Sequence, residues 1–153
     1  KNLVAAGLAE KVEKYYAIIS GERESVSLSY RSELNEAELG DLLRANRERD
    51  LLNRHTGSGV HRDDVIMKIG GQMLKRFGSQ GQQKSFLVAL KLAQYDDIAS
   101  RMEERPLLLL DDLFDKLDND RLGHLMSLTA DGSFGRPFWF CPHPQRCHET
   151  HYA

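Results

Sequence analysis

The sequence contains little cysteine and almost no net charge, and it lacks any long apolar run. Only 2 of its 153 residues are cysteines, which excludes a framework of disulfides and favours a reducing cytoplasm. A formal net charge of −2 provides no strong attraction to nucleic acid by itself. No apolar stretch reaches membrane-spanning length, and no signal peptide, internal repeat or low-complexity segment is visible. With 41% hydrophobic and 29% charged residues, the chain is typical of a soluble protein with one core, alone or with a small second lobe.

The first third of the chain predicts a helix, a strand and a second helix. Residues 2 to 19 repeat apolar side chains every three or four positions, and Gly21 is placed to end this amphipathic helix. Its apolar face would consist of Val4, Leu8, Val12, Tyr15 and Ile19. The stretch SVSLSY alternates strictly, which predicts a half-solvated strand in an antiparallel sheet. Asn35 followed by Glu38 resembles a capping box and predicts a helix to about residue 50.

The second half predicts an α/β layer. Two apolar runs flank Gly70 and Gly71 in VIMKIGGQMLKRF, which indicates a hairpin. FLVALKLA, in a helix from about Gln82, is apolar nearly all round and therefore predicts a helix buried in a layered core. After Pro106, LLLL predicts a parallel strand covered on both faces, and RPFWF predicts a last short strand. Between them lies a predicted helix, LDNDRLGHLMSL, whose inward residues would be Leu122, Leu125, Met126 and Leu128.

Two segments carry candidate chemistry. Asp111 and Asp112 follow LLLL directly, at the carboxyl edge of a predicted sheet, where α/β folds bind ligands. Paired carboxylates there can hold Mg²⁺ and orient an attacking water, although a solvated acidic turn has the same sequence. SQGQQ opens the buried helix, and its Ser, Gly and Gln residues suit a phosphate arriving at a helix N-terminus. An ordinary Ser-capped helix is the alternative.

The order of these segments resembles a known family. SQGQQ, the apolar helix, LLLLDD and LFDKLD resemble the signature, Walker B and D-loop motifs of ABC-type ATPases. More closely, GVHRDDV, FGSQGQQKSFLVALKLAQ and LLLLDDLFDKLDNDR resemble the RecF family of DNA recombination and repair ATPases, relatives of the SMC proteins. This resemblance implies an α/β fold, the C-terminal half of an ABC/SMC-type ATPase head (a P-loop NTPase fold) at residues 59–153. Residues 1–58 would belong to a mostly helical, arm-like second lobe.

The resemblance also implies roles for individual residues. Ser79, Gly81 and Gln82 match the signature motif, which reaches the nucleotide of the opposite subunit. Asp111 matches the Walker B acid that supports Mg²⁺, and Asp112 stands where relatives have a catalytic carboxylate.

Two further motifs are matched. The D-loop, which runs along the dimer seam, matches Asp115, Lys116, Leu117 and Asp118. A second family motif, which we interpret as helping to join the lobes, matches His61, Arg62, Asp63 and Asp64. A charged loop that enters a hairpin explains this second motif equally well.

For the intact protein, the resemblance implies ATP and Mg²⁺ as cofactors and a homodimer with ATP between the heads. The implied partners are DNA, as single strands or single/double-strand junctions, and recombination-mediator proteins of the same pathway. No membrane association is expected, and the protein would be cytoplasmic. ATP would act mainly as a clamp that hydrolysis releases.

The chain departs from the family pattern in two places. It contains no G-x-x-x-x-G-K-[ST] loop, which lies far upstream in the family. We therefore expect the C-terminal part of a longer protein, one that neither binds ATP tightly nor hydrolyses it alone. The tail is also unusual for the family, because it holds five potential zinc ligands, namely Cys141, His143, Cys147, His148 and His151.

These departures keep two alternatives open. One is a metal-binding tail, although C-x-H-x₃-C matches no established closed site. The other is a non-enzymatic dimerisation or DNA-binding module. Arg44, Arg47 and Arg49 could contact phosphates in such a module, but Glu48 and Asp50 favour a solvated face of mixed charge.

Overall fold

The computed structural model describes residues 2–35, 37–111, 117–132, 134–135 and 138–140. Within these ranges the elements follow in the order α1 (Asn2–Ser20), β1 (Val26–Arg31), α2 (Leu39–Asn53), β2 (Asp64–Ile69), β3 (Gln72–Met73), α3 (Leu74–Phe77), α4 (Gln80–Ala99), β4 (Leu109–Asp111), α5 (Asn119–Ala130) and β5 (Phe138–Phe140). Short 3₁₀ turns occupy Glu33–Asn35 and Val60–Arg62. No helix in these ranges combines the length and the apolar character needed to cross a bilayer.

Helix α1 forms as predicted and lies in the core. Tyr16 and Ile19 are fully buried, and the helix packs against α4, β1 and α5. Gly21 ends it in the left-handed region, with φ +64°, which glycine adopts without strain. The N–H of Glu22 then donates to the carbonyl of Ala17 at 2.8 Å, which satisfies one of the last helical carbonyls.

The antiparallel sheet also forms as predicted, in the order β1-β2-β3. β1 alternates between half-buried and exposed side chains along its whole length. Gly70 and Gly71, with φ +53° and +80°, make the two-residue turn between β2 and β3. The second arm of the hairpin is much shorter than the apolar run suggested, because α3 begins at Leu74. A helical turn there places the Leu74 side chain in the core, where it is 3% exposed.

Helix α4 is the longest helix of the described ranges, and it begins two residues earlier than predicted. Its buried side chains are Ser85, Phe86, Val88, Ala89, Leu92, Ala93 and Tyr95. The predicted burial is therefore present but incomplete, because Leu87 is 46% exposed. Among the described elements, α4 packs mainly against α1, with fewer contacts to α3.

Strands β4 and β5 form the predicted parallel pair, with Leu110 opposite Trp139. Coverage on both faces was predicted, but the described chain covers only one. Leu108 and Leu110 are 5% and 1% exposed, whereas Leu107 and Leu109 are 72% and 66% exposed. Side chains alternate between the two faces of a strand, so this pattern shows that only one side meets the core.

Helix α5 presents its apolar side to the core, as predicted. Leu125 is fully buried, while Leu122, Met126 and Leu128 are half-buried. The sequence pattern missed Thr129, which is buried and donates its hydroxyl proton to the carbonyl of Leu125 at 3.0 Å. That bond within the helix allows a polar side chain to be buried.

Helix α2 shows one error of the sequence interpretation. The predicted capping box at Asn35 does not form, because this residue lies in a 3₁₀ turn and the N-cap is Glu38. The Glu38 side chain makes no capping hydrogen bond to the helix, which runs to Asn53. No residue of α2 is fully buried, and its arginines at 44, 47 and 49 are exposed beside acidic neighbours, consistent with a solvated face of mixed charge.

Contacts cross the predicted lobe boundary at residue 58. β1 pairs with β2 over six residue pairs, and α1 packs against α4. The described parts on either side of residue 58 therefore share one core, and the division into two lobes stays a prediction.

Candidate functional site

The start of α4 is organised by a complete capping box. The Ser79 hydroxyl oxygen accepts a hydrogen bond from the N–H of Gln82 at 3.2 Å, and the Gln82 side-chain oxygen accepts from the N–H of Ser79 at 2.7 Å. Gln83 donates its side-chain N–H to the carbonyl of Gly78 at 2.8 Å. These three bonds fix the turn from α3 into α4 and hold Ser79 at the helix end.

The first turn of α4 is open to solvent. Ser79, Gln80 and Gln83 are exposed, and Gly81 is half-buried. The first hydrogen bond of the helix runs from the N–H of Gln83 to the carbonyl of Ser79, at 2.9 Å. The backbone N–H groups of Gln80 and Gly81 therefore precede the helical ladder and point out of the helix end, where an anion is favoured.

Gln82 does not face this opening. Its side-chain amide donates to Glu24 Oε1 at 2.9 Å, while its oxygen completes the capping box. The Gln side chains of SQGQQ were predicted to donate to an incoming ligand. Both ends of the Gln82 amide group bond within the chain here, and its contact with a nucleotide stays a prediction.

Glu24 lies between α1 and β1 and accepts hydrogen bonds from three other parts of the fold. Besides Gln82, Arg121 of α5 donates to Oε1 at 2.8 Å, and the Tyr16 hydroxyl donates to Oε2 at 2.5 Å. Burial by itself raises the pKa of the Glu24 carboxyl, but these three bonds outweigh it and the pKa lies below the ordinary value. Glu24 is therefore held as a carboxylate.

Arg121 completes the network from the α5 side. Its Nε donates to Asp118 Oδ2 at 3.1 Å, and one terminal nitrogen donates to the Ser85 hydroxyl at 3.2 Å. Ser85 in turn donates to the carbonyl of Gly81 at 2.8 Å, in the first turn of α4. Burial opposes the guanidinium charge, but the bonds with Tyr16 and Glu24 raise the pKa of Arg121. We call Glu24, Gln82, Ser85, Asp118 and Arg121 the Glu24–Arg121 network.

The Walker B and D-loop positions are described in part. The backbone of Asp111 ends β4, at the carboxyl edge of the parallel pair, as predicted. Asp112, Asp115 and Lys116 lie outside the described residues. Leu117 is 7% exposed and belongs to the core.

Asp118 is the N-cap of α5. One of its carboxylate oxygens accepts from the N–H of Arg121 at 2.8 Å, and the other accepts from the Arg121 side chain. The end of the predicted D-loop is thereby tied to α5. Because Arg121 also bonds Ser85, it connects this segment to α4, the predicted signature helix.

The second family motif lies where β2 begins. Arg62 is 3.9 Å from Glu33 across the two 3₁₀ turns, and the Tyr30 hydroxyl of β1 donates to Asp63. Asp64 is the first residue of β2. These contacts attach the β1 end of the sheet to the loop before β2, and the proposed role in joining lobes stays a prediction. The cysteines and histidines of the tail, from Cys141 to His151, lie outside the described residues.

The sequence analysis missed Glu24, Arg121 and Tyr16 as parts of this site. Arg121 carries a weak local signal, because it stands three positions after the N-cap Asp118 and can bond back to it. Glu24 carries none, since two of its three partners are 58 and 97 positions away along the chain, and the third, Tyr16, is eight positions away.

Comparison with known proteins gives a consistent answer, although no protein-family model matches the chain. A curated DNA replication and repair protein RecF from Parabacteroides distasonis is 46% identical over 125 residues, which are 82% of this chain and 34% of that protein. The RecF of Flavobacterium johnsoniae is 43% identical over 132 residues, which are 86% of this chain and 37% of that protein. The chain belongs to the RecF family. It spans about a third of the length of the curated RecF relatives it matches.

Two solved structures of RecF support the same assignment. One is of the recombination mediator protein RecF with ATP in the RecFOR pathway, and it matches with a TM-score of 0.72 and 26% identity over 94% of this chain and 40% of that one. The RecF-ATPrS structure of the same protein class matches with a TM-score of 0.69 and 25% identity over the same shares. The predicted fold class, part of an ABC/SMC-like ATPase with mixed helices and sheet, is thereby confirmed.

Proposed function

We propose that this chain contributes the signature helix, the Walker B strand and the D-loop to a RecF protein that binds ATP with Mg²⁺ and acts on DNA. In the intact protein two heads close on ATP, and the dimer binds single-stranded DNA or single/double-strand junctions in the cytoplasm. Recombination-mediator proteins of the same pathway would be its partners. Residues 59–153 would belong to the ATPase head and residues 1–58 to the arm-like lobe.

One observation carries this proposal, namely the exposed and fixed start of α4. Ser79 accepts the Gln82 N–H through its oxygen, so its hydroxyl proton is directed away from that bond. The N–H groups of Gln80 and Gly81 lie beside it at the positive end of a 20-residue helix. A phosphate that another subunit presents would meet these three donors without any rearrangement of the turn.

The carboxylates would act at the other edge of the site. Asp111 ends a strand of the parallel pair, the position from which a carboxylate can support Mg²⁺ bound to nucleotide phosphates. Asp112 would orient or deprotonate the attacking water. The segment from Asp115 to Asp118 would line the seam between the two heads.

ATP then works as a clamp in this proposal. The Ser79 helix end closes on the γ-phosphate held by the partner head, and hydrolysis removes the group that it contacts. Closure therefore depends on a bond made only across the dimer, which makes dimerisation sensitive to nucleotide.

Substitution of Ser79 in a full-length RecF protein that carries this sequence tests the proposal. Ser79→Arg places a bulky cation at the docking face, and we expect it to abolish ATP-dependent dimerisation while the monomer still binds ATP. Ser79→Ala is the matched control, since both variants lose the N-cap, at a cost of about 1 kcal/mol of stability. Light scattering with and without ATP, beside a melting curve, separates docking from capping. A Ser79→Arg protein that still dimerises on ATP would reduce SQGQQ to an ordinary helix cap.

A further inference from the structure

Two motifs of the proposed site are connected through Glu24, Ser85 and Arg121, which lie outside both of them. The start of α4 contributes Gln82 and Ser85, and the start of α5 contributes Asp118 and Arg121. Glu24, from the connection between α1 and β1, bonds to both helices through a single carboxylate oxygen. The two helix starts are thus joined by charged hydrogen bonds.

The centre of the network is shielded from water, whereas Asp118 at its α5 end is 61% exposed. The side chains of Arg121 and Glu24 are only 12% and 21% exposed, and Ser85 is fully buried. Desolvation of a charged pair offsets most of its attraction, so a pair of this kind contributes less to stability than apolar side chains of similar volume often do. Its directional bonds instead select one arrangement of the elements that they join.

The geometry of the bonds shows which arrangement is selected. Glu24 holds the amide of Gln82, whose oxygen holds the N–H of Ser79. Arg121 holds Asp118, the last residue of the proposed D-loop. A displacement of either helix start must therefore break a bond to Glu24 or to Arg121.

We propose that Glu24 and Arg121 are positioning residues that make the signature end of α4 and the D-loop end of α5 move as one unit. This inference rests on the proposed function, in which both segments face the nucleotide between two heads. Neither side chain needs to touch ATP. Their role is to present Ser79 and the D-loop to the partner in a fixed relation to each other.

The structure supplies a matched control pair. Arg23 and Asp120 stand next to Glu24 and Arg121 in the chain and form a 2.9 Å ion pair between the same two segments. This pair is exposed, at 62% and 66%, so water replaces its bonds easily. Loss of Arg23 removes a link of the same kind without disturbing the shielded network.

The first measurement is amide hydrogen exchange in a full-length RecF protein that carries this sequence, without nucleotide. Arg121→Gln should accelerate exchange at the starts of both α4 and α5, and Glu24→Gln should do the same, whereas Arg23→Ala should leave both unchanged. If Arg121→Gln loosens only α5, the two helix starts are not coupled and the inference is overturned.

The second measurement follows ATP-dependent dimerisation and turnover in the same proteins, well below their melting temperatures. Both network variants should weaken the ATP-dependent dimer and lower kcat by about tenfold, equivalent to about 1.4 kcal/mol, with little change in the KM for ATP. Arg121→Lys, which keeps the charge but not the branched guanidinium, should recover only part of the loss. Unchanged dimerisation and kcat in both network variants would also overturn the inference.

The two measurements separate this inference from the proposed function. If the wild-type protein forms no dimer on ATP, the proposed function fails, and the positioning role fails with it even where exchange shows the helix starts to be coupled. If the wild-type protein dimerises but the network variants behave like Arg23→Ala, only the positioning role fails.

Discussion

Gly78→Ala tests whether close packing at the junction of α3 and α4 holds the start of α4, with Ser79, in place. Gly78 has φ −74° and ψ 137°, which any residue adopts, so backbone freedom does not explain the glycine. A Cβ atom there would lie 2.7 Å from the carbonyl oxygen and 2.8 Å from Cδ1 of Leu74. Leu74 is 3% exposed and has little room to withdraw. We expect this overpacking to lower the free energy of unfolding by about 1–3 kcal/mol.

Gly123→Ala provides the matched control. Gly123 lies inside α5, and a Cβ atom there would meet no heavy atom within 4 Å. The same substitution should therefore raise the free energy of unfolding by about 0.5–1 kcal/mol, because alanine loses less conformational freedom in a helix. The two variants should differ by about 1.5–4 kcal/mol in urea unfolding monitored by circular dichroism, with equal m-values.

The same two glycine variants should also differ in ATP-dependent dimerisation. Any shift at Gly78 is passed to Ser79, so Gly78→Ala should also weaken ATP-dependent dimerisation of a full-length protein, whereas Gly123→Ala should not. A Gly78→Ala protein as stable as the wild type would refute the reasoning, since it would mean that α3 and α4 separate at no cost.

Four further predictions follow from the site and the core. Tyr95→Phe should lower the free energy of unfolding by about 1–2 kcal/mol, because the Tyr95 hydroxyl donates to the buried carbonyl of Phe134 at 3.0 Å; urea unfolding at the wild-type midpoint would contradict this. The depressed pKa of Glu24 means that the folded chain binds this proton less readily than the unfolded chain. Its contribution to stability is therefore present above the unfolded pKa of about 4.3 and is lost as the pH falls through the lower folded value. Glu24→Gln should flatten the acid limb of a stability–pH curve, and an unchanged limb would count against the charged network. In a full-length protein, Asp112→Asn should slow ATP hydrolysis while ATP binding and the dimer persist, and normal turnover would remove its catalytic role. Calorimetry of the 153-residue chain with ATP and Mg²⁺ should detect no stoichiometric micromolar site, because the sequence holds no phosphate-binding loop. Such a site would contradict the assignment of these residues to the C-terminal part of an ATPase head.

Much of the local structure could be predicted because its causes lie close together in the chain. The apolar repeat of α1, the alternation of β1 and the glycine pair at 70 and 71 each specify a conformation through neighbours within a few positions. The Ser79 cap belongs to the same class, since its partner Gln82 is three residues away. The order of the three motifs also predicts the family, which the curated relatives confirm.

The sequence-based prediction was wrong at two places where the local pattern fits more than one conformation. Asn35 and Glu38 had capping-box spacing, but the chain uses Asn35 in a 3₁₀ turn and begins α2 after Glu38. The apolar run at Leu74 continued the strand pattern, but the chain forms a helical turn there with Leu74 3% exposed. In both cases the local pattern fits two conformations, and contacts with the rest of the fold decide between them.

The sequence by itself determined α1, β1, the glycine turn, the Ser79 cap and the motifs, because each depends on residues a few positions apart. Only the tertiary structure decided which sides of α4 and β4 are covered, since the covering elements come from distant parts of the chain. It also decided the Glu24–Arg121 network, whose two charges are 97 positions apart. Nothing in the neighbouring sequence indicates that this glutamate in a loop and this arginine in a helix form an ion pair. Only the packing of α1, α4 and α5 brings them within 2.8 Å of each other.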